Sequence, residues 1–192
     1  MQTVCVYCAS STRVKQSYFE TADRLAKILA DRQLSIVYGG GSNGLMGQLA
    51  DSMIEAGGHI TGVIPRFMCE VEWQHTNLSE LILVETMHER KEKMAAMADA
   101  IVALPGGCGT MEELLEVITW KRLGIFTKPV IIVNIEGYYD DLVAMLNKAV
   151  DENFMREEHR EMWKVVEKAE DVLQAIENSK KWDENARNFA AL

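Results

Sequence analysis

No stretch of this 192-residue chain holds the run of about 20 apolar residues that a membrane helix needs, and its start lacks the basic opening and long apolar core of a secretion signal. A cytoplasmic location without a membrane partner is expected. No basic cluster offsets the formal charge of -9, so nucleic acid is not an expected partner and a small molecule is. There is no internal repeat, low-complexity tract or linker, which leaves a single domain over residues 1–178 and a polar tail over 179–192. His59, His75, His88 and His159 form no HExxH pair, and no carboxylate cluster stands at ligand spacing, so no metal is expected.

Cysteine is scarce, with Cys5, Cys8, Cys69 and Cys108 alone. Cys5-x-x-Cys8 has the outline of a redox or metal motif. On a strand, however, residues three apart point to opposite faces, so these thiols cannot meet. Cys108 alone stands at a helix start, the setting that activates a thiol, but no neighbouring base can be named for a nucleophile.

What the chain does have is two glycine-rich corners. The first organising stretch runs from Ala100 to Trp120. Ile101 to Leu104 is short and apolar, as in a strand buried on both faces, and Pro105 ends it. Gly106, Gly107 and Gly109 allow close approach to the main chain, and Thr110 is the expected N-cap of a helix whose apolar positions include Met111, Leu114, Leu115 and Ile118. Free N–H groups and the dipole at such a helix start favour a phosphate. The loop lacks the lysine of a Walker P-loop. Glu112 and Glu113 fall in the first turn on this reading, where they either stabilise the helix or meet a sugar beyond the phosphate.

The second corner, Gly39-Gly40-Gly41-Ser42-Asn43-Gly44, follows a strand over 34–38 and leads into a helix ending near Ala56. It fits the G-x-G-x-x-G dinucleotide pattern. The next strand, about 59–64, closes with Pro65-Arg66 and not with a ribose-binding acid, so no nicotinamide or flavin is expected, nor any other cofactor. Elsewhere the pattern predicts a strand over 3–7, a hydroxyl-rich loop at Ser10-Ser11-Thr12, an amphipathic helix over 18–31 and a strand over 81–84. A helix over 87–97 follows, then a last strand over 128–135 and helices over 139–150 and 163–177. Residues 67–79 are irregular and polar, suited either to a flap or to a solvated connection. On the 87–97 helix Glu89 is set to pair with Lys93, whereas Arg90 and Lys91 lie near the N-terminus, a placement that a bound anion would explain. Alternating strands and helices imply an α/β, Rossmann-like doubly wound parallel sheet with helices on both faces. Both glycine corners then fall at its ligand-binding carboxyl edge.

Taken together, Val37-Tyr38-Gly39-Gly40-Gly41-Ser42-Asn43-Gly44-Leu45-Met46-Gly47, Met87-His88-Glu89-Arg90-Lys91 and Pro105-Gly106-Gly107-Cys108-Gly109-Thr110-Met111-Glu112-Glu113 resemble the LOG (Lonely Guy) family. The likeness extends through Leu114 to Trp120 and Gly137-Tyr138-Tyr139 and spans about Val4 to Phe154. Members are cytokinin riboside 5'-monophosphate phosphoribohydrolases, many once labelled lysine decarboxylases. The resemblance implies hydrolysis of the N-glycosidic bond of AMP or an N6-prenylated AMP by a homodimer. It implies Arg90 and Glu113 as the catalytic pair. Substrate contacts would come from Glu72, Lys91, Thr119, the corner Gly40, Gly41 and Ser42, and the run Gly106, Gly107, Cys108, Gly109, Thr110, Met111 and Glu112. The sequence departs from plant members around 67–75, at Cys108 in place of Tyr, and at Ala9 in place of Gly.

The chemistry suits those residues. Breaking an N-glycosidic bond builds positive charge on the sugar, which a carboxylate at Glu113 stabilises, while Arg90 neutralises the phosphate. No acid for the leaving base can be named. A pyridoxal-dependent decarboxylase fits poorly, because Lys91 and Lys93 sit on a charged helix. A nucleotide-binding or carrier protein without turnover is the alternative from another class.

Overall fold

The computed structural model describes residues 2–69 and 73–186. Its strands are β1 (Thr3–Tyr7), β2 (Ser35–Tyr38), β3 (Ile60–Pro65), β4 (Glu80–Val84), β5 (Ala100–Ala103), β6 (Val130–Val133) and β7 (Lys164–Val166). The helices are α1 (Gln16–Asp31), α2 (Gly44–Glu55), the single turn α3 (Arg66–Cys69), α4 (Met87–Met97), α5 (Cys108–Arg122), α6 (Asp140–Asp151) and α7 (Val172–Glu177). All strands pair in parallel, in the order β4-β3-β2-β1-β5-β6-β7. This is the doubly wound sheet the sequence implies. None of these helices is long and apolar enough to cross a membrane.

Burial explains the apolar strands. β3, β5 and β6 are buried along their whole length because helices cover both faces. One core layer gathers Leu25, Leu29, Leu49 and Ile176 against Val4, Val6 and Cys8. The other gathers Met94, Leu114 and Ile118 against Cys5, Val37 and Ile101. Cys5 and Cys8 thus lie in opposite layers, as strand alternation requires, and all four cysteines are free. Each fully buried leucine contributes about 2 kcal/mol before entropy is counted.

Several expectations need correction. α5 begins at Cys108 with Gly107 as its N-cap, not at Thr110. A Cβ at Gly106 would lie 2.1 Å from the Thr110 hydroxyl, so Thr110 is packed beneath the loop as a buried helical residue. Glu112 and Glu113 consequently fall in the second turn, beyond the strongest dipole field. The helix expected over 163–177 is instead β7, a 3-10 turn at Ala169–Asp171 and then α7. Only three residues long, β7 is an edge strand with too little pattern to outweigh helix-forming neighbours, and β6 supplies its hydrogen bonds. The strand expected over 128–135 is confined to Val130–Val133, and it is not the last because β7 follows.

The chain after α7 returns to the second core layer. Trp182 is buried and its indole N–H donates to the Lys121 carbonyl at 2.6 Å, while Ala186 is fully buried. Below Trp182 lies Lys121, also buried, whose ammonium donates to the Lys128 carbonyl at 2.8 Å. Burial, aided by the nearby Lys164 charge, pushes its pKa down to about 8. Trp182→Ala is expected to lower the unfolding free energy by about 3 kcal/mol in a denaturant titration. An unchanged midpoint would show that this segment adds nothing to the core.

Candidate functional site

Chain direction creates the cleft. From β1 the chain moves outward through β2, β3 and β4, then returns to place β5 on the other side of β1. The loops after β1 and β5 leave in opposite senses, which opens a crevice at the carboxyl edge. Short contacts join them: the Ala9 N–H donates to the Pro105 carbonyl at 3.3 Å, and the Met46 N–H to the Ala9 carbonyl at 3.1 Å. Gly44, at φ +62°, brings α2 so close that a Cβ would lie 2.5 Å from the Ser11 carbonyl oxygen. Tyr138 and Tyr139 brace the β5 corner from below, their hydroxyls donating to the Gly106 and Leu104 carbonyls at 2.6 and 2.7 Å.

Two cavities share this crevice. One, of about 420 Å³, has an apolar wall of Met46, Ile64, Met68 and Trp73 and a polar rim that includes Ser10, Arg13, Ser42 and Asn43. The other, of about 360 Å³, is bounded by Gly107, Gly109, Thr110, Glu112 and Glu113. Ser10, Ser11, Gly39, Met46, Met68 and Arg90 border both, so the cavities meet above Arg90.

Arg90 is held on several sides. Its Nε donates to the Val63 carbonyl at 3.1 Å, its Nη2 to the Gly39 carbonyl at 3.3 Å, and its Nη1 lies 3.2 Å from Glu113 Oε1. Both side chains of this ion pair are only 9% exposed. The Arg90 guanidinium occupies the space beside Gly39, where a Cβ would lie 1.9 Å from Nη2. Burial holds the Glu113 carboxyl above its ordinary value; Arg90 pulls it down, but Glu112 and Glu116 add to the rise. A partly desolvated carboxylate at the junction of two cavities is suited to stabilising positive charge or taking a proton.

Lys91 is buried too, and its Nζ lies 2.6 Å from Glu112 and 3.1 Å from Glu116. Burial alone would lower its pKa, yet the hydrogen bonds to these two carboxylates raise it. Carboxylates of α5 thus pair with Arg90 and Lys91 near the start of α4. Glu89 turns back to accept from the Glu85 N–H at 2.8 Å instead of pairing with Lys93, and Thr86 caps the helix.

The remaining candidates are placed unequally. Gly41 and Ser42 line the larger cavity, whereas Gly40, Gly106, Cys108 and Met111 line neither, Cys108 being exposed at the head of α5. Thr119 faces solvent on α5, bonds back to the Leu115 carbonyl at 2.8 Å and lines neither cavity. Glu72 lies outside the described residues. Just beyond it, residues 73–75 are bonded to the β2 corner: the Ser42 N–H donates to the Trp73 carbonyl at 3.0 Å and the His75 N–H to the Gly40 carbonyl at 2.9 Å. His75 Nε2 lies 3.0 Å from Asp51 on α2. Arg13 was not foreseen. A basic residue three positions past Ser10, in a loop at the carboxyl edge, was the available signal. Among the described residues no group of three or more His, Cys, Asp or Glu could hold a metal ion.

Comparison with known proteins places the chain among relatives. A family model described as "Possible lysine decarboxylase" matches residues 46–176. The chain is 45% identical over 174 residues to cytokinin riboside 5'-monophosphate phosphoribohydrolase LOG5 of Arabidopsis thaliana, covering 91% of this chain and 76% of that one. It is also 45% identical to LOG2 of the same plant, over 91% of this chain and 82% of that one. Among solved structures, the molybdenum cofactor carrier protein of Chlamydomonas reinhardtii superposes with a TM-score of 0.71 at 19% identity, over 92% of this chain and 96% of that one; this likeness concerns the fold alone.

Two consequences are testable. Gly39→Ala is expected to drive the Arg90 guanidinium away from Glu113, which a crystal structure of the variant would record; an unmoved guanidinium would contradict the packing. Because the Glu113 carboxyl is held up when folded, its ionised form costs folding free energy. That cost is absent at acid pH, where Glu113 is neutral folded or unfolded, and it grows as pH rises through the ordinary carboxylate range to the folded pKa. Glu113→Gln should therefore melt no lower than wild type at pH 7, with the difference closing at acid pH. A lower melting temperature at pH 7 would refute the direction of the shift.

Proposed function

This chain belongs to the LOG family of cytokinin riboside 5'-monophosphate phosphoribohydrolases, and from that membership we propose that it hydrolyses the N-glycosidic bond of an N6-modified adenosine 5'-monophosphate, or of AMP itself, to free base and ribose 5-phosphate. The observation that carries the proposal is the buried Arg90–Glu113 pair at the junction of a phosphate-compatible helix start and a partly apolar cavity.

In this reading the 5'-phosphate sits at Gly107 to Thr110, where α5 offers unpaired N–H groups and the positive end of its dipole. The ribose lies over Glu113. The base enters the larger cavity, whose Met46, Ile64, Met68 and Trp73 wall suits an N6-alkyl substituent, with Gly41 and Ser42 at its edge. As the C1′–N9 bond lengthens, the sugar gains oxocarbenium character, and the ionised Glu113 opposes that charge more strongly than the charge of the ground state. Its raised proton affinity also fits it to take a proton from the attacking water. Arg90 keeps Glu113 ionised and oriented, a different role from neutralising phosphate. Lys91 does the same for Glu112 and Glu116.

Thr119, implied by the family resemblance as a nucleotide contact, sits apart from the cleft of its own chain. A homodimer that buries the exposed Leu115 side of α5 would bring it to the partner's nucleotide. Glu72 is assigned to the base side on the same resemblance. Four free thiols support a reducing, cytoplasmic setting.

The test is incubation with AMP and with isopentenyladenosine monophosphate, following base and ribose 5-phosphate by chromatography. Glu113→Gln is expected to slow release about 100-fold or more while the protein stays folded. Binding of AMP with no base released from either nucleotide in the wild type would overturn hydrolysis and favour a carrier.

A further inference from the structure

Cleavage leaves the bonding electron pair on N9, and that charge has to be met. In the proposed reaction C1′ loses N9 with both electrons of the bond, the base departs as an anion, and water supplies oxygen to C1′ and a proton to Glu113. Solvent then protonates the anion, and Glu113 releases its proton to solvent. The leaving group thus needs either an acid beside it or a cation.

The larger cavity offers no acid among its described residues. Its wall consists of hydroxyls, an amide, glycines, apolar side chains and two guanidiniums, Arg13 and Arg90. Hydroxyls and amides do not give up a proton at neutral pH, and a guanidinium does not either. Arg90 is already committed to Val63, Gly39 and Glu113. Arg13 differs. It is exposed and lines this cavity alone, and its guanidinium has no carboxylate partner among the described residues, although its neighbour Lys15 pairs with Glu136 at 2.6 Å. Its backbone N–H donates to Ser11 Oγ at 3.4 Å within the same loop.

Charge balance around the cleft points the same way. Arg90 is offset by Glu113, and Lys91 is more than offset by Glu112 and Glu116. The cleft floor is therefore net negative, which suits a sugar cation but not an outgoing anion. We infer that Arg13 is a catalytic residue for the leaving group, its guanidinium donating to the purine ring as negative charge collects there, so that the base leaves as a stabilised anion without a general acid. The inference rests on the hydrolase reading above.

The test compares adenine release from AMP with N7-methyladenine release from N7-methyl-AMP, whose base leaves uncharged. Arg13→Gln is expected to lower kcat for AMP about 100-fold with KM changed less than about threefold, and to leave or speed N7-methyladenine release. Arg13→Lys, which keeps the charge, should recover at least about tenfold of the kcat. Equal slowing with both nucleotides would overturn the inference, because Arg13 would then act on the shared ribose phosphate. A loss selective for AMP in Glu72→Gln but not in Arg13→Gln would overturn it in favour of an acid on that loop. No release by the wild type from AMP or from isopentenyladenosine monophosphate would instead bring down the hydrolase reading, and the role of Arg13 with it.

Discussion

A guanidinium buried between two backbone carbonyls and one carboxylate fixes the middle of this molecule. Arg90 leaves α4, passes the space where residue 39 has no side chain, and ends against Glu113. The contact joins the β2 corner, the end of β3, α4 and α5. Arginine suits the position because its donors fan out in a plane, whereas a lysine would present one compact charge and leave carbonyls unmet. Burying such a pair is expensive unless its remaining hydrogen bonds are satisfied, and here the Val63 and Gly39 carbonyls satisfy them.

The pair also governs the chemistry of the cleft. If Arg90 is held by protein groups, it is not free to serve as a phosphate clamp. Lys91 is likewise taken up by Glu112 and Glu116. Attraction for an anion then falls to the N–H groups at the head of α5 and to the loop after β1. The acidic floor, which looks adverse beside a phosphate, is the arrangement that favours positive charge on a sugar one bond series away. On the proposed reading, the two cavities meeting above Arg90 divide the cleft between these demands.

Much of this was legible along the chain. The strand over 3–7, the helix over 87–97 and the parallel order follow from patterns that repeat within a dozen residues, and burial on both faces makes those patterns strong. The opposite placement of Cys5 and Cys8 needs only the two-residue period of a strand. Glycine corners at strand ends located the cleft edge, and Arg90, Lys91, Glu112 and Glu113 were picked out by their order in recognisable motifs. β7 was lost because three residues cannot show a period, and the start of α5 was misplaced because the packing of Thr110 under Gly106 replaced its role as a cap.

The sequence by itself determined the fold class, the two glycine corners and the set of charged residues near them, since each depends on local spacing and local backbone freedom. Tertiary structure alone decided which charges neutralise one another, that Thr119 stands away from its own cleft, and that Arg13 faces the larger cavity without a carboxylate partner among the described residues. The physical reason is range. Arg90 meets the Gly39 carbonyl across 51 positions of chain and Lys91 meets Glu112 across 21, and no local period reports a contact that only the return of the chain to β5 creates.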